Sequence, residues 1–205
     1  MARIGLVVEG RTEEAVLKDV LRRHLESRDS RLPVDRVLGR LVPDGGDRIR
    51  NKNWVAEQVA RLRRGGHDCV IVVADQERHP AAAAVRSRLS SCGADGIFVA
   101  SPKFERWLLA DSDAVRRSLG SPRPNNWRRG DPLEVLRALK PGYKKTTDGT
   151  LVGRVSNAAV WAGELPEFCD LLHLIESRLQ LSLTACGNAR RARRSGGKRT
   201  RRGPT

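Results

Sequence analysis

The sequence predicts an α/β fold, a mostly parallel sheet flanked by helices, and three observations carry the prediction. Two apolar runs, Ile4-Gly5-Leu6-Val7-Val8 and Cys69-Val70-Ile71-Val72-Val73-Ala74, lack the polar alternation of a half-exposed strand, as expected for strands buried on both faces. Each is followed by a turn and then by a segment of helical period. Strand-like and helix-like segments alternate in this way from residue 4 to about residue 112, the pattern of successive βαβ units.

The first run ends in the turn Glu9-Gly10-Arg11. Thr12 then reads as the N-cap of a helix with Val16, Leu17, Val20, Leu21, His24 and Leu25 on one stripe. Glu13 and Glu14 fall in its first turn, where the helix dipole favours negative charge, and this is their preferred reading. A weaker strand spans Val34–Leu41. Trp54, Val55, Val59 and Leu62 mark a second helix, closed by Gly65-Gly66. The second buried run ends at Asp75-Gln76-Glu77, Ala81–Leu89 reads as a helix and Ile97–Ala100 as a fourth strand. Pro102 reads as the N1 residue of a helix with Phe104, Trp107 and Leu108 on one face. Beyond residue 112 the pattern becomes helical, with a capping box at Asp131-Pro132-Leu133-Glu134 and a last helix from Pro166 to about Leu183. Residues 121–130 and 141–157, rich in Pro, Gly, Asn and basic residues, read as loops. The chain thus divides into an α/β core (1–112), a helical extension packed on it (113–187) and a basic tail (188–205) expected to be disordered.

At 205 residues the chain is long enough for one substantial core. The longest apolar run, Val70 to Ala74, is far too short to span a bilayer, and the N-terminus lacks a signal-peptide pattern, so no membrane partner and a cytoplasmic location are expected. The net charge is +15, and eight basic residues with no acid fall in 188–205, leaving +7 for residues 1–187. Such an excess favours a polyanion partner, nucleic acid first. The plain alternative for the body is coding from a GC-rich genome, given 32 Arg against 7 Lys. The four cysteines lie far apart. Cys169-x-x-x-His173 and His67-x-Cys69 have metal-ligand spacing, but both cysteines fall in apolar segments, and reduced core thiols are the preferred reading.

In an open α/β sheet the ligand crevice lies at the carboxyl ends of the strands. Here Glu9 follows the first strand, Asp75 and Glu77 the third, and Glu105 lies one turn into the helix after the fourth. Four carboxylates from three separated segments can therefore converge at one edge, although the chain as a whole is basic. Such hard oxygen ligands suit Mg²⁺ or Mn²⁺. Each acid also has a structural reading: Asp75 as a turn or cap residue, Glu105 as the partner of Arg106 or another neighbouring base.

These residues carry a resemblance. Val7-Val8-Glu9-Gly10-Arg11-Thr12-Glu13 is similar to the first motif of Toprim domains, and Val70–Glu77 to the second, a hydrophobic strand ending in an acidic pair. Among Toprim-like proteins the chain most resembles the domain-of-unknown-function family 4276, which also has a segment similar to Phe104-Glu105-Arg106-Trp107-Leu108-Leu109-Ala110-Asp111. The resemblance implies a Toprim-like (Rossmann-like) core and chemistry on phosphodiesters. By position, Glu9 matches a metal ligand or general acid/base, Asp75 and Glu77 the acidic pair, with Glu77 standing where the motif has Asp, and Glu105 a glutamate that completes or flanks the site. It also implies an ATPase partner in a phage-defence or mobile-element setting.

The lone tyrosine, Tyr143, and the short remainder of the chain argue against a topoisomerase, and no motif supports a primase. The simplest remaining activity is Mg²⁺- or Mn²⁺-dependent hydrolysis of DNA or RNA. Arg11, Lys103, Lys144 and Lys145 are candidates for holding phosphates, with Arg190, Arg191, Arg193 and Arg194 of the tail adding affinity without sequence choice. The rival expectations are a Toprim-like nucleic-acid-binding or regulatory subunit without turnover, and a structural subunit whose tail binds RNA or an acidic protein surface.

Overall fold

Three of the four strands are nearly continuous apolar runs, and two of them, Ile4–Val8 and Cys69–Asp75, are buried along their whole length. The computed structural model of the chain describes residues 2–43, 47–77 and 79–186. The predicted tail, with Arg190, Arg191, Arg193 and Arg194, lies outside the described residues.

β1 (Ile4–Val8), β2 (Leu38–Pro43), β3 (Cys69–Asp75) and β4 (Gly96–Ala100) form one parallel sheet in the order β2-β1-β3-β4. The period-two geometry of the strands sorts their side chains onto two faces. Ile4, Leu6, Val8, Cys69, Ile71 and Val73 share a core with α1 (Arg11–Arg28) and the helices after β4. Val7, Val70, Val72, Ala74 and Val99 share a second core with α3 (Lys52–Arg64) and α4 (Ala82–Leu89). Both faces are therefore covered, which is why the strands carry so few polar residues.

After β4 come α5 (Glu105–Leu108), α6 (Ser112–Leu119), α7 (Pro132–Leu139), a π-turn (Lys145–Gly149) running into α8 (Thr150–Val155), α9 (Ala158–Glu164) and α10 (Pro166–Arg178). They join the α1 face through a cluster of tilted and edge-on rings, Phe104, Trp107, Trp161 and Phe168, with the centroids of contacting pairs 5.1–6.3 Å apart. No helix among the described residues is long and apolar enough to cross a membrane.

Several local expectations are corrected. The strand expected over Val34–Leu41 starts late: Val34–Val37 is a single helical turn, α2, entered from Pro33, because Val34 and Val37 bury one side of that turn in the α1 core. A short 3₁₀ turn, Asp47–Arg50, follows β2. Gly10, not Thr12, is the N-cap of α1, and Thr12 is buried inside the first turn. Pro102 precedes α5 rather than opening it; its carbonyl accepts from the Glu77 N–H. The Asp131 carboxylate caps the Leu133 and Glu134 N–H groups, but Glu134 turns to Arg137 instead of closing the capping box. The 141–157 loop is largely helical, since Asp148 holds Lys140 Nζ and the Lys144 N–H, each at 2.7 Å, and Gly153 lets α8 sit directly on Val16 of α1. The last helix ends at Arg178, and residues 179–186 turn back so that Thr184 meets Glu176. Finally, Cys169 and Cys186 are joined as a disulfide, so free buried thiols are found at Cys69 and Cys92 alone among the described residues.

Candidate active site

The sheet order reverses between β1 and β3, and the carboxyl ends of these two strands make the topological switch point where open α/β sheets hold ligands. Their register pairs Val8 with Val73, so the residue after β1 meets the last residues of β3. There Glu9 Oε2 accepts the Asp75 N–H at 2.9 Å. Asp75 is 8% exposed, and its Oδ1 accepts the Phe104 N–H at 2.7 Å, which ties the end of β3 to the start of α5. Glu77 reaches the same point by a turn rather than by strand alternation: its backbone is left-handed (φ 45°), a conformation uncommon outside glycine. Carboxylate oxygens of Glu9, Asp75 and Glu77 all lie within 4.8 Å of one another.

Two further carboxylates complete the cluster. Glu105, 1% exposed, enters from α5, and Glu13, 2% exposed, from the first turn of α1. Lys145 Nζ stands between them, 2.8 Å from Glu13 Oε1 and 3.2 Å from Glu105 Oε1, while Arg50 pairs with Glu77. A Cβ at Gly10 would sit 2.8 Å from Glu13 Oε2, so a side chain there would displace the end of that carboxylate. Glu105 Oε2 and the Tyr143 hydroxyl are buried with no hydrogen-bond partner among the described residues. Such unpaired buried oxygens are rare in folded proteins.

The electrostatics follow from burial and crowding. Burial, then the Glu9 and Glu13 carboxylates, push Asp75 well above the ordinary carboxylate range. Burial also raises Glu9, against the hydrogen bond from the Asp75 N–H. Lys145 is raised despite burial, because the Glu13 and Glu105 carboxylates outweigh it. Burial and the nearby Glu105 carboxylate likewise raise the Tyr143 phenol.

Of the residues predicted from sequence, Glu9, Asp75, Glu77 and Glu105 are thus brought together, and Lys145 lies among them. Arg11 and Lys144 are exposed. Lys103 is engaged by Asp131, 3.0 Å away. The sequence reading missed Glu13, Arg50 and Tyr143 as members of the site. For Glu13 the signal was present: three residues past Gly10, the first helical turn carries it back over the end of β1.

The family model described as a domain of unknown function, DUF4276, matches residues 8–176. The chain belongs to this family. The DUF4276 match begins at the last residue of β1 and ends within α10, so it takes in the carboxylate cluster and the helices packed over it. No curated protein and no solved structure matches the chain.

Proposed function

We propose that the chain is a metal-dependent nuclease that hydrolyses nucleic-acid phosphodiester bonds at a Toprim-like acidic site. The observation that carries this reading is the meeting of the Glu9, Asp75 and Glu77 carboxylates within 4.8 Å at the switch point of the sheet. The donor set fits a hard divalent ion such as Mg²⁺ or Mn²⁺, and the orphaned Glu105 oxygen beside it supports the fit. Glu9, Asp75 and Glu77 would hold the ion, with Glu105 flanking them. When bound, it supplies charge stabilisation at the phosphate and an acidified water. Glu9, half-buried at the rim, is placed to take or return a proton. The exposed Arg11 and Lys144 attract the phosphate backbone, and the Arg-rich segment 188–205 adds affinity that falls with salt. The resemblance to Toprim-like proteins adds an ATPase partner and a phage-defence or mobile-element setting to this reading.

A second reading, a nucleic-acid-binding or regulatory subunit without turnover, is favoured by one observation. Lys145 and Arg50 already neutralise part of the cluster, as basic side chains do in a site that no longer takes a metal. Cleavage of supercoiled plasmid, single-stranded DNA and RNA in Mg²⁺, Mn²⁺ or EDTA separates the two. The nuclease reading expects metal-dependent cleavage that falls at least about 100-fold in Asp75→Ala and persists, at weaker affinity, without residues 188–205. Binding that follows the Arg-rich segment, with no cleavage of any substrate in any metal, establishes the second reading.

A further inference from the structure

Away from the carboxylates, α10 carries a second group of ligand-type side chains. Cys169 and His173 are one helical turn apart and share a face of the helix. The chain turns back after α10 and brings Cys186 against them. His173 Nε2 lies 3.6 Å from Cys169 Sγ and 3.3 Å from Cys186 Sγ, and ligand atoms of the three residues lie within 4.8 Å of one another. A tetrahedral zinc ion, with Zn–S about 2.3 Å and Zn–N about 2.0–2.1 Å, sets its sulfur and nitrogen ligands about 3.6 Å apart. His173 Nε2 is also 2.7 Å from the Thr184 carbonyl oxygen, and its position beside both sulfurs gathers an imidazole and two thiols, the donor set of a zinc centre, around one point once the sulfurs are reduced and part to about 3.8 Å. We infer that Cys169, His173 and Cys186, when the cysteines are reduced, form a zinc site with its fourth position left to solvent.

The donor chemistry separates this site from the carboxylate cluster. Two thiolates and an imidazole select zinc over magnesium or manganese, which prefer all-oxygen ligation. The Cys169–Cys186 disulfide and the zinc centre are alternatives on the same two sulfurs, whose Cα atoms are 6.0 Å apart. A phosphine reductant with one water opens the disulfide to two thiols and leaves as the phosphine oxide. As zinc binds, each thiol releases a proton. In the disulfide form His173 Nε2–H donates to the Thr184 carbonyl oxygen, 2.7 Å away; for ligation that bond is given up, the proton passes to Nδ1 and the Nε2 lone pair turns to the metal.

The consequence is a clamp. Residues 179–186 are held to the body where the Thr184 N–H donates to Glu176 Oε2 at 2.7 Å and His24 Nε2 lies 2.8 Å from Glu176 Oε1. A zinc ion at Cys186 fixes the end of that segment, immediately before the Arg-rich residues 188–205.

The test uses the full chain, purified without chelator under a phosphine reductant. Expected are about one zinc per chain and, after exchange to Co²⁺, intense visible ligand-field bands with near-ultraviolet thiolate charge transfer. Cys186→Ser and His173→Ala each lower bound zinc at least about tenfold, whereas Asp75→Asn leaves it unchanged. X-ray absorption on the wild-type chain gives an answer that needs no variant: two sulfur neighbours at about 2.3 Å are expected. An all-oxygen shell, or less than about a tenth of a zinc per chain with Cys169 and Cys186 titrating as free thiols, overturns the inference. So does zinc that both variants retain in full.

Discussion

Replacing Asp75 by Asn tests whether the carboxylate cluster is held together against its own charge. Oxygens of Glu9 and Asp75 lie within 4.8 Å. At that separation and an effective dielectric of about 20, two full charges repel by about 3.5 kcal/mol. Solvent at the Glu9 rim and the nearby Lys145 reduce this to about 2–3 kcal/mol. Against the relief stands a weaker hydrogen bond, since the Phe104 N–H would meet an amide oxygen instead of a carboxylate, at a cost of about 1 kcal/mol. Asp75→Asn should therefore stabilise the metal-free protein by about 1–2 kcal/mol, which for a chain of this size raises Tm by about 2–8 °C. Thermal unfolding in EDTA and in Mn²⁺ measures both halves of the argument. At about 100 times its dissociation constant the ion adds about 2.7 kcal/mol to the wild type, and it should add nothing to the variant. The order of the two melting curves then reverses between the buffers. A variant that melts below the wild type in EDTA refutes the reasoning: Asp75 would be a structural acceptor for Phe104 and its charge no burden.

Three other perturbations probe the scaffold around the site. A Cβ at Gly153 would sit 2.5 Å from both Val16 methyl carbons, so Gly153→Ala should cost about 1–3 kcal/mol in urea unfolding, and Val16→Ala added to it should recover part of that loss. Trp107→Ala removes a ring packed against Phe104, Trp161 and Phe168, and an unfolding loss of about 3–5 kcal/mol is expected; a loss below 1 kcal/mol would mean that the ring cluster does not join the helices to the sheet. The bonds from Lys140 and the Lys144 N–H hold Asp148 below its ordinary value of 3.8, so its stabilisation is present above that pH and is lost as pH falls through the folded-state value. The stability gap between wild type and Asp148→Asn, about 1–2 kcal/mol at neutral pH, should accordingly close below about pH 4.

What the sequence discloses about this protein is what short-range physics determines. Apolar runs at 4–8 and 69–74 can only be buried strands, and the acids that follow them must fall at the carboxyl edge. Glu9, Asp75 and Glu77 are legible for that reason, and Glu105 because it opens the helix after the fourth strand. The partners of these acids are not, because Lys145 reaches Glu13 and Glu105 from a segment whose glycines and lysines look like loop. Gly149 and Gly153 are small for a different reason: Gly149 lies under Thr12, Leu108 and Tyr143, and Gly153 under Val16. Close packing and loop flexibility call for the same residue, and only the tertiary contacts separate them. Cys169 and Cys186 illustrate the same limit, since their meeting depends on a chain reversal after Arg178 that no local pattern announces.

The charge distribution gives the cluster its meaning. In a chain of net charge +15, an acid on the surface has basic neighbours in excess and gains by pairing with them. Exposed acids here do so, as Glu134 does with Arg137 and Asp35 with Arg22. Glu13, Asp75 and Glu105 instead lie at 8% exposure or less, crowded against Glu9, with Lys145 as their shared base. Burying carboxylates together raises the free energy of the fold, and the two backbone N–H groups they accept, Asp75 and Phe104, would be served as well by uncharged acceptors. An arrangement that opposes folding and sits at the switch point of the sheet is the kind that stability alone would not retain. A cation or shared protons relieve it, and that is why the crowding of Asp75, rather than the mere presence of acids, is the property to measure.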